Sequence, residues 1–598
     1  MANKYDIKTD LSRDSLFDIL GLKRMKESYM KPEEESPQER FAFVSSTFAS
    51  NKEHAQRLYE YASKQWLSYS TPILSFGRTK KGLPISCFLP YLHDTSEGLV
   101  NTLSEVNWLS MMGGGIGIGL GIRSADDKSV GIMPHLRTYD ASSLAYKQGN
   151  TRRGSYAAYL DISHPDIILF LEMRKPTGDQ NMRCMNLHHG INIPDKFMEI
   201  IERCMIDPNT NDDWELKDPH SGEVREVVSA KELWQRIMEM RMHTGEPYLL
   251  FIDTANNAMP EFQKKLGLSI KQSNLCSEII LPTDNERTAV CCLSSVNLEH
   301  FDEWKSGKLF LRDIAEMLDN VLQYFIDNAP NTIKRAKYSA MRERSIGVGA
   351  LGWHAYLQKN SLPWESALTT SANHRIFKHI KKQLDKANVE LGSERGEAPD
   401  ATGTGRRFSH MMAIAPNASS SILMNNTSPS IEPYRANCYR QDTLSGAHLN
   451  KNRFLDSIIK KESENHKDGW YEEVWSSIMS NDGSIQHLTW LSDEIKEVFK
   501  TAMEIDQRWV VQHAADRQEY IDQAQSVNLF FRPDANLKYL HAAHFMAWKN
   551  GLKTLYYCRS DKIGKADKVA KKIERQVIDE IDLKAMAQGD EICLACEG

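Results

Sequence analysis

The sequence predicts an α/β fold with a helical region before it and a helix-rich region after it. Between about residues 71 and 440, short apolar runs alternate with helical segments, which is typical of a sheet or barrel covered by helices. The flanking segments instead show apolar residues at helical spacing. A chain of 598 residues is long enough to bury a large core, and we find no internal repeat of 20–50 residues.

The N-terminal region, residues 1–70, is predicted to be helical. The stretches SPQERFAFVSSTFA and EHAQRLYEYASKQWL both place apolar residues on one helical face. The proline-led stretch TPILSFGRTKKGLPISCFLP then ends the helices, because proline cannot continue the backbone hydrogen-bond ladder.

The central region, residues 71–440, contains the strands that define the fold class. The strand-like runs are GGGIGIGLGI, YAAYLDI, HHGINI, PYLLFID and RSIGVGALG. The next region, residues 441–560, is charged and helix-rich, and ends in a helix that leads into the short strand TLYYC. Residues 561–598 are rich in Lys, Asp and Glu, so we expect a flexible tail that ends in EICLACEG.

Composition excludes several classes of protein. The net charge of −6 disfavours a partner that is a nucleic acid polymer, which would require a basic surface. The N-terminus lacks the apolar core of a secretory signal, and no run has the length of a membrane span. We therefore expect a cytoplasmic protein with no membrane contact, whose ten cysteines are reduced at rest.

Two glycine-rich stretches bear on cofactor binding. The glycines of GGGIGIGLGI never give the G-x-G-x-x-G spacing of a dinucleotide site. GVGALG has that spacing, but no second strand ending in an acidic residue follows about 20 residues later. Close strand packing or a close backbone approach therefore explains these glycines better than a dinucleotide oxidoreductase does.

The cysteines are the strongest chemical signal. Cys276 has Asn274 two residues before it and Glu278 two residues after it. In an extended segment all three side chains would face one volume, where a carboxylate, an amide and a thiol could act on a sugar-like substrate. A buried cysteine between two unrelated polar residues is the alternative.

The other cysteines do not form a metal-binding pattern. Cys291 and Cys292 are adjacent, so on a strand one of them at most faces the Cys276 site. Cys184 could join His188 and His189, but no further ligand stands at zinc-finger spacing, and we predict no metal in this chain.

Five motifs occur together in one order: PISCFL, QSNLCSEI, VCCLSSVNL, TLYYC and the terminal CLAC. Together they resemble the large, catalytic subunit of class I ribonucleotide reductase, from about residue 14 to the last residue. The resemblance implies a ten-stranded α/β barrel of two five-stranded parallel halves with a central finger loop. It also implies reduction of ribonucleoside diphosphates by thiyl-radical chemistry for DNA precursor synthesis. An adenosylcobalamin-dependent reductase and a nucleotide-binding regulatory protein on an inactive barrel are the alternatives.

The resemblance assigns catalytic roles to particular residues. Cys276 would carry the thiyl radical, Glu278 would accept the 3′-hydroxyl proton, and Asn274 would hold the substrate hydroxyls. Cys87 would supply two electrons together with Cys291, which matches the family pattern, while Cys292 stands in a variable position.

The resemblance also implies partner proteins. Tyr556 and Tyr557 would stack and relay the radical from a separate radical-generating small subunit, so the metallocofactor would lie on that subunit and none would be bound permanently here. Cys593 and Cys596 would form a redox shuttle, reduced by thioredoxin or glutaredoxin. Cys558, next to the tyrosines, has no role that we can assign.

Nucleotide contacts follow from the same resemblance. The substrate-binding residues would be Thr71, Ser86, Asn417, Ala418, Ser419, Ser420 and Ser421. A nucleoside triphosphate effector would contact Asp94 and Arg123 at a homodimer interface, next to a second loop at residues 175–183. The helical region before Thr71 is too short for an N-terminal ATP-binding cone, so we expect no dATP inhibition through such a domain.

Overall fold

The computed structural model describes residues 3–78, 82–148, 152–443 and 446–560. The expected redox tail, including Cys593 and Cys596, lies outside these residues. None of the helices in the described ranges combines the length and apolar character that a bilayer crossing requires.

The N-terminal region is helical, as predicted, apart from one short strand near its end. Ser36 begins the long second helix with a capping box, in which its side chain and that of Glu39 satisfy exposed backbone N–H groups. The short strand β1 pairs antiparallel with a barrel strand and so fixes this region to the barrel. The elements are α1 (Ile19–Arg24), α2 (Pro37–Phe48), α3 (Lys52–Ser63), β1 (Leu67–Tyr69) and α4 (Thr71–Leu74), with a 3₁₀ helix at Leu11–Leu16 and a π-helical turn at Met25–Tyr29.

The central region contains most of the barrel strands, and all five strand-like runs of the sequence form strands. The strands are β2 (Cys87–Leu89), β3 (Tyr91–His93), β4 (Gly115–Gly121), β5 (Lys147–Gln148), β6 (Arg152–Arg153), β7 (Ser155–Asp161), β8 (Leu187–Ile193), β9 (Asp213–Lys217), β10 (Val224–Ser229), β11 (Tyr248–Phe251), β12 (Ala289–Asn297) and β13 (Ile346–Leu351).

Helices cover the outside of the barrel strands, most of which are buried on both faces, whereas the β9–β10 hairpin outside the barrel is largely exposed. They are α5 (Ser96–Met111), α6 (Ile132–Ala145), α7 (Ile167–Glu172), α8 (Asp195–Ile206), α9 (Ala230–Thr244), α10 (Ile252–Asn257), α11 (Glu261–Lys265), α12 (Phe301–Trp304), α13 (Phe310–Asn328), α14 (Lys334–Glu343), α15 (Trp353–Lys359), α16 (Ala367–Arg395) and α17 (Ala418–Leu423). Short 3₁₀ helices lie at Gln180–Met182, Leu298–His300, Asn331–Ile333 and Pro399–Ala401.

The C-terminal elements divide into two groups. Residues 438–499 have a small hydrophobic core of their own, whereas residues 505–558 pack into the main core. The elements are β14 (Cys438–Thr443), β15 (Gly446–Lys451), α18 (Arg453–Ser463), α19 (Trp470–Ser480), α20 (Asp493–Val498), α21 (Gln507–Gln518), β16 (Leu529–Phe531), α22 (Leu537–Lys549), β17 (Thr554–Leu555) and β18 (Cys558–Ser560). The predicted division of the chain at residues 70, 440 and 560 stays a prediction.

The strands close into a barrel of two parallel halves, as predicted. In the first half β2 and β3, which form one interrupted strand, lie parallel to β4, and β7, β8 and β11 follow in parallel order. In the second half β12 lies parallel to β13, and bridges continue to residues 412–414 and to 525. The two seams, β2 with β12 and β11 with β17, are antiparallel.

Hydrogen bonds complete the second half between residues 525 and 557. The amide of Tyr556 donates to the carbonyl of Val527, and the amide of Leu529 donates to the carbonyl of Tyr557. Strands β16 and β18 continue this parallel pairing just outside the barrel. Residues 525–529 and 554–557 are therefore integral to the barrel wall.

Candidate active site

A loop between α11 and β12 threads the centre of the barrel. A Cβ atom on Gly117 of β4 would collide with the backbone of Ser273 and Asn274, and one on Gly119 would lie 2.6 Å from the Gln272 side-chain oxygen. Real Cβ atoms do not approach other atoms this closely, so only glycine lets the loop pass directly against the strand. The glycines of GGGIGIGLGI therefore serve a close backbone approach, as expected.

The loop tip is a tight turn. The Asn274 side-chain oxygen accepts a hydrogen bond from the Ile279 amide (3.1 Å), and the Ser273 hydroxyl donates to the Ile279 carbonyl (2.7 Å). Ser277 has φ = 66°, in the left-handed region that residues other than glycine rarely adopt. The expectation that residues 274–278 are extended is therefore wrong, because these bonds close the tip into a turn.

Two side chains from the barrel wall fix this turn. The Tyr159 hydroxyl on β7 donates to the Asn274 carbonyl (2.7 Å), and the Ser526 hydroxyl lies 2.6 Å from the Cys276 carbonyl. Ser526 also lies 3.2 Å from a Glu278 carboxylate oxygen. Cys276 and Glu278 are both fully buried, so the thiol and the carboxylate of this turn lie away from bulk water. Nothing in the sequence pattern identified Tyr159 or Ser526.

The predicted relay tyrosines lie next to the loop tip. The Tyr556 hydroxyl is 3.4 Å from the Cys276 sulfur, and the ring centroids of Tyr556 and Tyr557 are 4.3 Å apart at an interplanar angle of 53°. The rings are thus in contact but tilted rather than parallel. Tyr248 on β11 contacts both rings, at centroid distances of 4.7 Å and 5.1 Å, and no sequence pattern identified it.

Cys87 and Cys291 face the barrel interior. They are directly paired across the antiparallel strands β2 and β12, and both belong to an apolar cluster that includes Ile279 of the loop. Cys292 packs on the opposite face of β12, in the main core. Burial raises the pKa of Cys291 well above its usual range, although Gln523 donates to its sulfur at 3.5 Å. This placement supports Cys291 as the partner of Cys87.

The predicted phosphate loop is built on an unusual backbone. Asn417 has φ = 54°, and its side-chain amide donates to the carbonyls of Ala350 and Ala415, both at 3.1 Å. Its side-chain oxygen accepts from Ser295 of β12 at 3.2 Å. Asn417 therefore locks the turn that precedes α17 to the barrel wall.

The hydroxyl groups of the loop lie beyond Asn417. Ser419, Ser420 and Ser421 are buried, and Ser421 donates to the Ala418 carbonyl at 2.7 Å. Arg24 of α1 donates to the Ser419 hydroxyl at 2.9 Å. The N-terminal region thus brings a positive charge to this loop, which no sequence pattern indicated because Arg24 is distant in the chain.

The remaining predicted nucleotide contacts lie in three places. The Thr71 hydroxyl is 3.3 Å from the Tyr29 hydroxyl, and Ser86 stands beside Cys87 with its oxygen 3.9 Å from the sulfur. Arg123 and Asp94 form an ion pair at 2.7 Å at the ends of β4 and β3. The second predicted effector loop, residues 175–183, contains the 3₁₀ turn at Gln180–Met182.

Two other sites that the sequence allowed, a dinucleotide site at GVGALG and a metal site at Cys184, His188 and His189, are not formed by these residues. A Cβ atom on Gly349 of GVGALG would lie 2.8 Å from both the Ala413 carbonyl and the Ser295 hydroxyl, which leaves no room for a dinucleotide. His188 and His189 both contact the carboxylate of Glu246, not Cys184. Burial raises the pKa of Cys184 to about 12.

His54, Asp313 and Glu316 bring ligand atoms within 4.8 Å of one another, as a metal site would. However, Arg57 already pairs with Asp313 (2.7 Å), and Arg395 pairs with Glu316 (2.6 Å). This cluster is better explained as a buried ion-pair network than as a site for a cation.

Comparisons with known proteins agree with this geometry. A family model described as "Ribonucleotide reductase, barrel domain" matches this chain in two overlapping segments, residues 85–404 and 398–558. A second model, described as "Ribonucleotide reductase, all-alpha domain", matches residues 15–82. The ribonucleoside-diphosphate reductase large subunit of Invertebrate iridescent virus 3 is 55% identical, over 94% of this chain and 97% of that protein. A putative large subunit from Frog virus 3 is 48% identical, over 91% and 93%.

A solved structure shows the same architecture. The alpha subunit of the class Id ribonucleotide reductase of Actinobacillus ureae superposes with a TM-score of 0.80 at 33% identity. The match covers 93% of this chain and 98% of that one, so it includes the barrel and the helical regions on both sides.

Proposed function

The chain belongs to the family of class I ribonucleotide reductase large subunits, and we propose that it reduces ribonucleoside diphosphates through a thiyl radical on Cys276. The observation that carries this proposal is the position of Cys276. It lies at the tip of a loop inside a closed barrel, beside the Tyr556 hydroxyl and in one turn with Glu278. A radical in this place is shielded from solvent and lies next to a base.

The proposed reaction begins and ends at Cys276. Its thiyl radical takes the 3′ hydrogen atom of the substrate, and Glu278 accepts the 3′-hydroxyl proton, so the 2′-hydroxyl leaves as water. Cys87 and Cys291 supply two electrons and two protons and become a disulfide. Cys276 then returns its hydrogen atom, and the overall change is ribonucleotide plus dithiol to deoxyribonucleotide, water and disulfide.

The pairing of Cys87 with Cys291 suits this step. Directly opposed residues of an antiparallel pair have Cα atoms about 4.5–5.5 Å apart, within the range of about 4.4–6.8 Å that disulfides occupy. The bond can therefore form without a rearrangement of the barrel strands. Asn274, whose side-chain nitrogen is 3.9 Å from the Cys87 sulfur, lies beside the pair of thiols and is suited to hold the substrate hydroxyls.

The radical enters through Tyr557 and Tyr556 from a radical-generating small subunit, which carries the metallocofactor. The contact distances from Tyr557 to Tyr556 and from Tyr556 to Cys276 support this order. A cobalamin-dependent reductase would generate its radical within one chain and would not need these tyrosines. The tail cysteines Cys593 and Cys596 pass electrons from thioredoxin or glutaredoxin to the barrel disulfide.

Substrate phosphates bind at residues 417–421, where the buried hydroxyls and Arg24 provide donors and a positive charge. A nucleoside triphosphate effector binds near Asp94 and Arg123 at a homodimer interface, and binding there would require the Asp94–Arg123 ion pair to rearrange. A cytoplasmic location, which would keep the buried thiols reduced, stays a prediction.

The test is reduction of CDP by this chain with and without a candidate small subunit, with dithiothreitol as reductant. Formation of dCDP that depends on the small subunit is expected. Activity with adenosylcobalamin but with no small subunit would overturn the assignment of the radical source, and absence of activity under both conditions would overturn the reductase itself.

A further inference from the structure

Tyr557 touches a half-buried histidine that is bonded to a buried glutamate, and the proposed mechanism uses neither of them. Its hydroxyl is 3.4 Å from Nδ1 of His188 on β8, and the same Nδ1 is 2.6 Å from a carboxylate oxygen of Glu246. Glu246 lies just before β11, the strand that carries Tyr248. The phenol and the carboxylate therefore meet at one ring nitrogen of His188.

Glu246 is a buried anion with a full set of partners. Its other oxygen accepts from the backbone amide and Nδ1 of His189, both at 3.0 Å, and lies 3.4 Å from Arg174. Burial alone would raise the pKa of Glu246, but Arg174 and His188 hold it well below its usual range. The carboxylate is thus charged at neutral pH, and the strong bond to it fixes the His188 ring.

Two other groups that contact Tyr557 are unsuited to accept its proton. The Arg559 guanidinium lies over its ring, 4.2 Å from the centroid, and is already a cation. Tyr248 packs edge-on at 5.1 Å, and burial raises the pKa of this phenol well above its usual range, so it stays protonated. His188 is the basic group that the geometry brings to the Tyr557 hydroxyl.

Oxidation of a phenol requires such a base. A phenol that loses an electron and keeps its proton becomes a cation, which is costly in a partly buried site beside Arg559. The oxidised phenol is also a far stronger acid than a carboxylic acid. Transfer of its proton is therefore favourable even to a carboxylate that is a weak base.

We propose that the His188–Glu246 pair accepts the phenolic proton of Tyr557 when its electron leaves for the oxidised radical centre of the small subunit. The proton that Nδ1 of His188 shares with Glu246 moves onto the carboxylate, which frees the Nδ1 lone pair. As the O–H bond of Tyr557 breaks, this lone pair takes the phenolic proton. Tyr557 is then a neutral radical that takes a hydrogen atom from Tyr556, and the pair returns its proton when Tyr557 is reduced at the end of turnover.

This inference rests on the proposed radical relay, and the test separates the two. The holoenzyme, reconstituted with its small subunit, is assayed for CDP reduction with His188→Gly, His188→Asn, Glu246→Gln and Tyr557→Phe. His189→Asn is the matched control, because it removes another partner of Glu246 but none of Tyr557. Thermal denaturation and effector binding verify that each variant is folded.

We expect His188→Gly and His188→Asn to lower kcat by about 10²–10⁴-fold, the usual contribution of a positioned acid–base group, with little change in KM. Added imidazole should restore activity to His188→Gly, which a structural role would not predict, and the rescued rate should show a solvent deuterium isotope effect. Glu246→Gln should lower kcat less than the His188 variants do, and His189→Asn should retain most of it.

Two results would overturn the inference while the relay survives. The first is an inactive Tyr557→Phe with His188 variants as active as the wild type. The second is a folded, inactive His188→Gly that imidazole does not rescue. Full activity of Tyr557→Phe would instead overturn the relay itself.

Discussion

Cys87 and Cys291 stand directly opposite each other on the antiparallel strands β2 and β12, and both side chains face the interior of the barrel. The neighbouring Cys292 faces the surrounding helices. These two adjacent cysteines lie on opposite faces of β12, because successive side chains of a strand point to opposite faces.

Replacing Cys291 with Ser should abolish turnover, because Cys87 would lose the partner with which it forms a disulfide. Cys292→Ser is the matched control and should retain turnover, since its sulfur is on the outer face. The measurement is deoxynucleotide formed per chain by pre-reduced enzyme without added reductant. Turnover that depends on Cys292 and not on Cys291 would reverse the assignment.

Replacing Tyr556 with Phe should reduce CDP reduction to the assay background, because the proposed relay exchanges a hydrogen atom between its hydroxyl and the Cys276 sulfur, which lie 3.4 Å apart. Substrate and effector binding should be unchanged. Tyr248→Phe, which keeps the ring packing, should retain activity if Tyr248 lies off the path. Robust activity of Tyr556→Phe would exclude this radical route.

Replacing Glu278 with Gln should lower kcat by about 10²–10⁴-fold, the range expected for loss of a general base. Ser526→Ala should have a smaller effect, because Ser526 orients the carboxylate and the Cys276 carbonyl but does not accept the proton. Both effects are measured as kcat for the reduction of several nucleoside diphosphates by each variant and by the wild type. A larger loss in Ser526→Ala than in Glu278→Gln would show that the loop position matters more than the base.

Changing both Cys593 and Cys596 to Ser should abolish turnover with thioredoxin while a single turnover by pre-reduced enzyme remains. The barrel pair of Cys87 and Cys291 is buried, so a protein-sized reductant needs an intermediary to reach it. Product formed with thioredoxin is compared with product formed from the pre-reduced enzyme alone. Sustained thioredoxin-driven turnover in the double variant contradicts the shuttle.

Stability should depend on pH through Glu343. Burial, with Asp400 adding to it, raises the pKa of Glu343 to about 8, although Arg287 opposes the shift. Because the folded pKa exceeds the unfolded value, this stabilisation is complete below about pH 4.5 and is lost as pH rises toward 8. Glu343→Gln imitates the protonated form, so its stability relative to the wild type should rise with pH, by at most about 1.4 kcal/mol per pH unit.

Thermal denaturation of the wild type and of Glu343→Gln at intervals between pH 5 and 8 measures the difference in their stability. Glu199→Gln on α8 is a suitable control, because this position is exposed and burial cannot produce such a trend there. A constant difference in stability across the range would mean that Glu343 is charged throughout, held by Arg287.

The sequence predicted those parts of the fold that depend on neighbouring residues in the chain. The five apolar runs became strands because their alternation and length are properties of the segment itself. Candidate site residues such as Cys276 and Tyr556 could be predicted because they belong to the short family motifs QSNLCSEI and TLYYC. By contrast, Ser526 contacts Cys276, and His188 contacts Tyr557, across hundreds of positions in the chain. The residues next to Ser526 or His188 in the sequence do not indicate such contacts.

The extended conformation expected around Cys276 failed for a related reason. Alternation of side chains holds for a paired strand, but the loop tip has no strand partner among the described residues. Its shape comes from the bonds of Ser273 and Asn274 to Ile279 and from the anchor at Tyr159. A chain segment that is held from several sides adopts the conformation those contacts require, even the strained one at Ser277.

The closure of the barrel by residues 525–557 has a consequence for biosynthesis. A ribosome that has made the first five hundred residues has released both open edges of the sheet but not the segments that join them, and such edges favour aggregation. Cys276 can meet Tyr556, 280 positions later, only after both residues have left the ribosome. A nascent chain that stops before residue 525 therefore lacks this contact and both closing segments of the barrel, and we expect such truncated products to be insoluble.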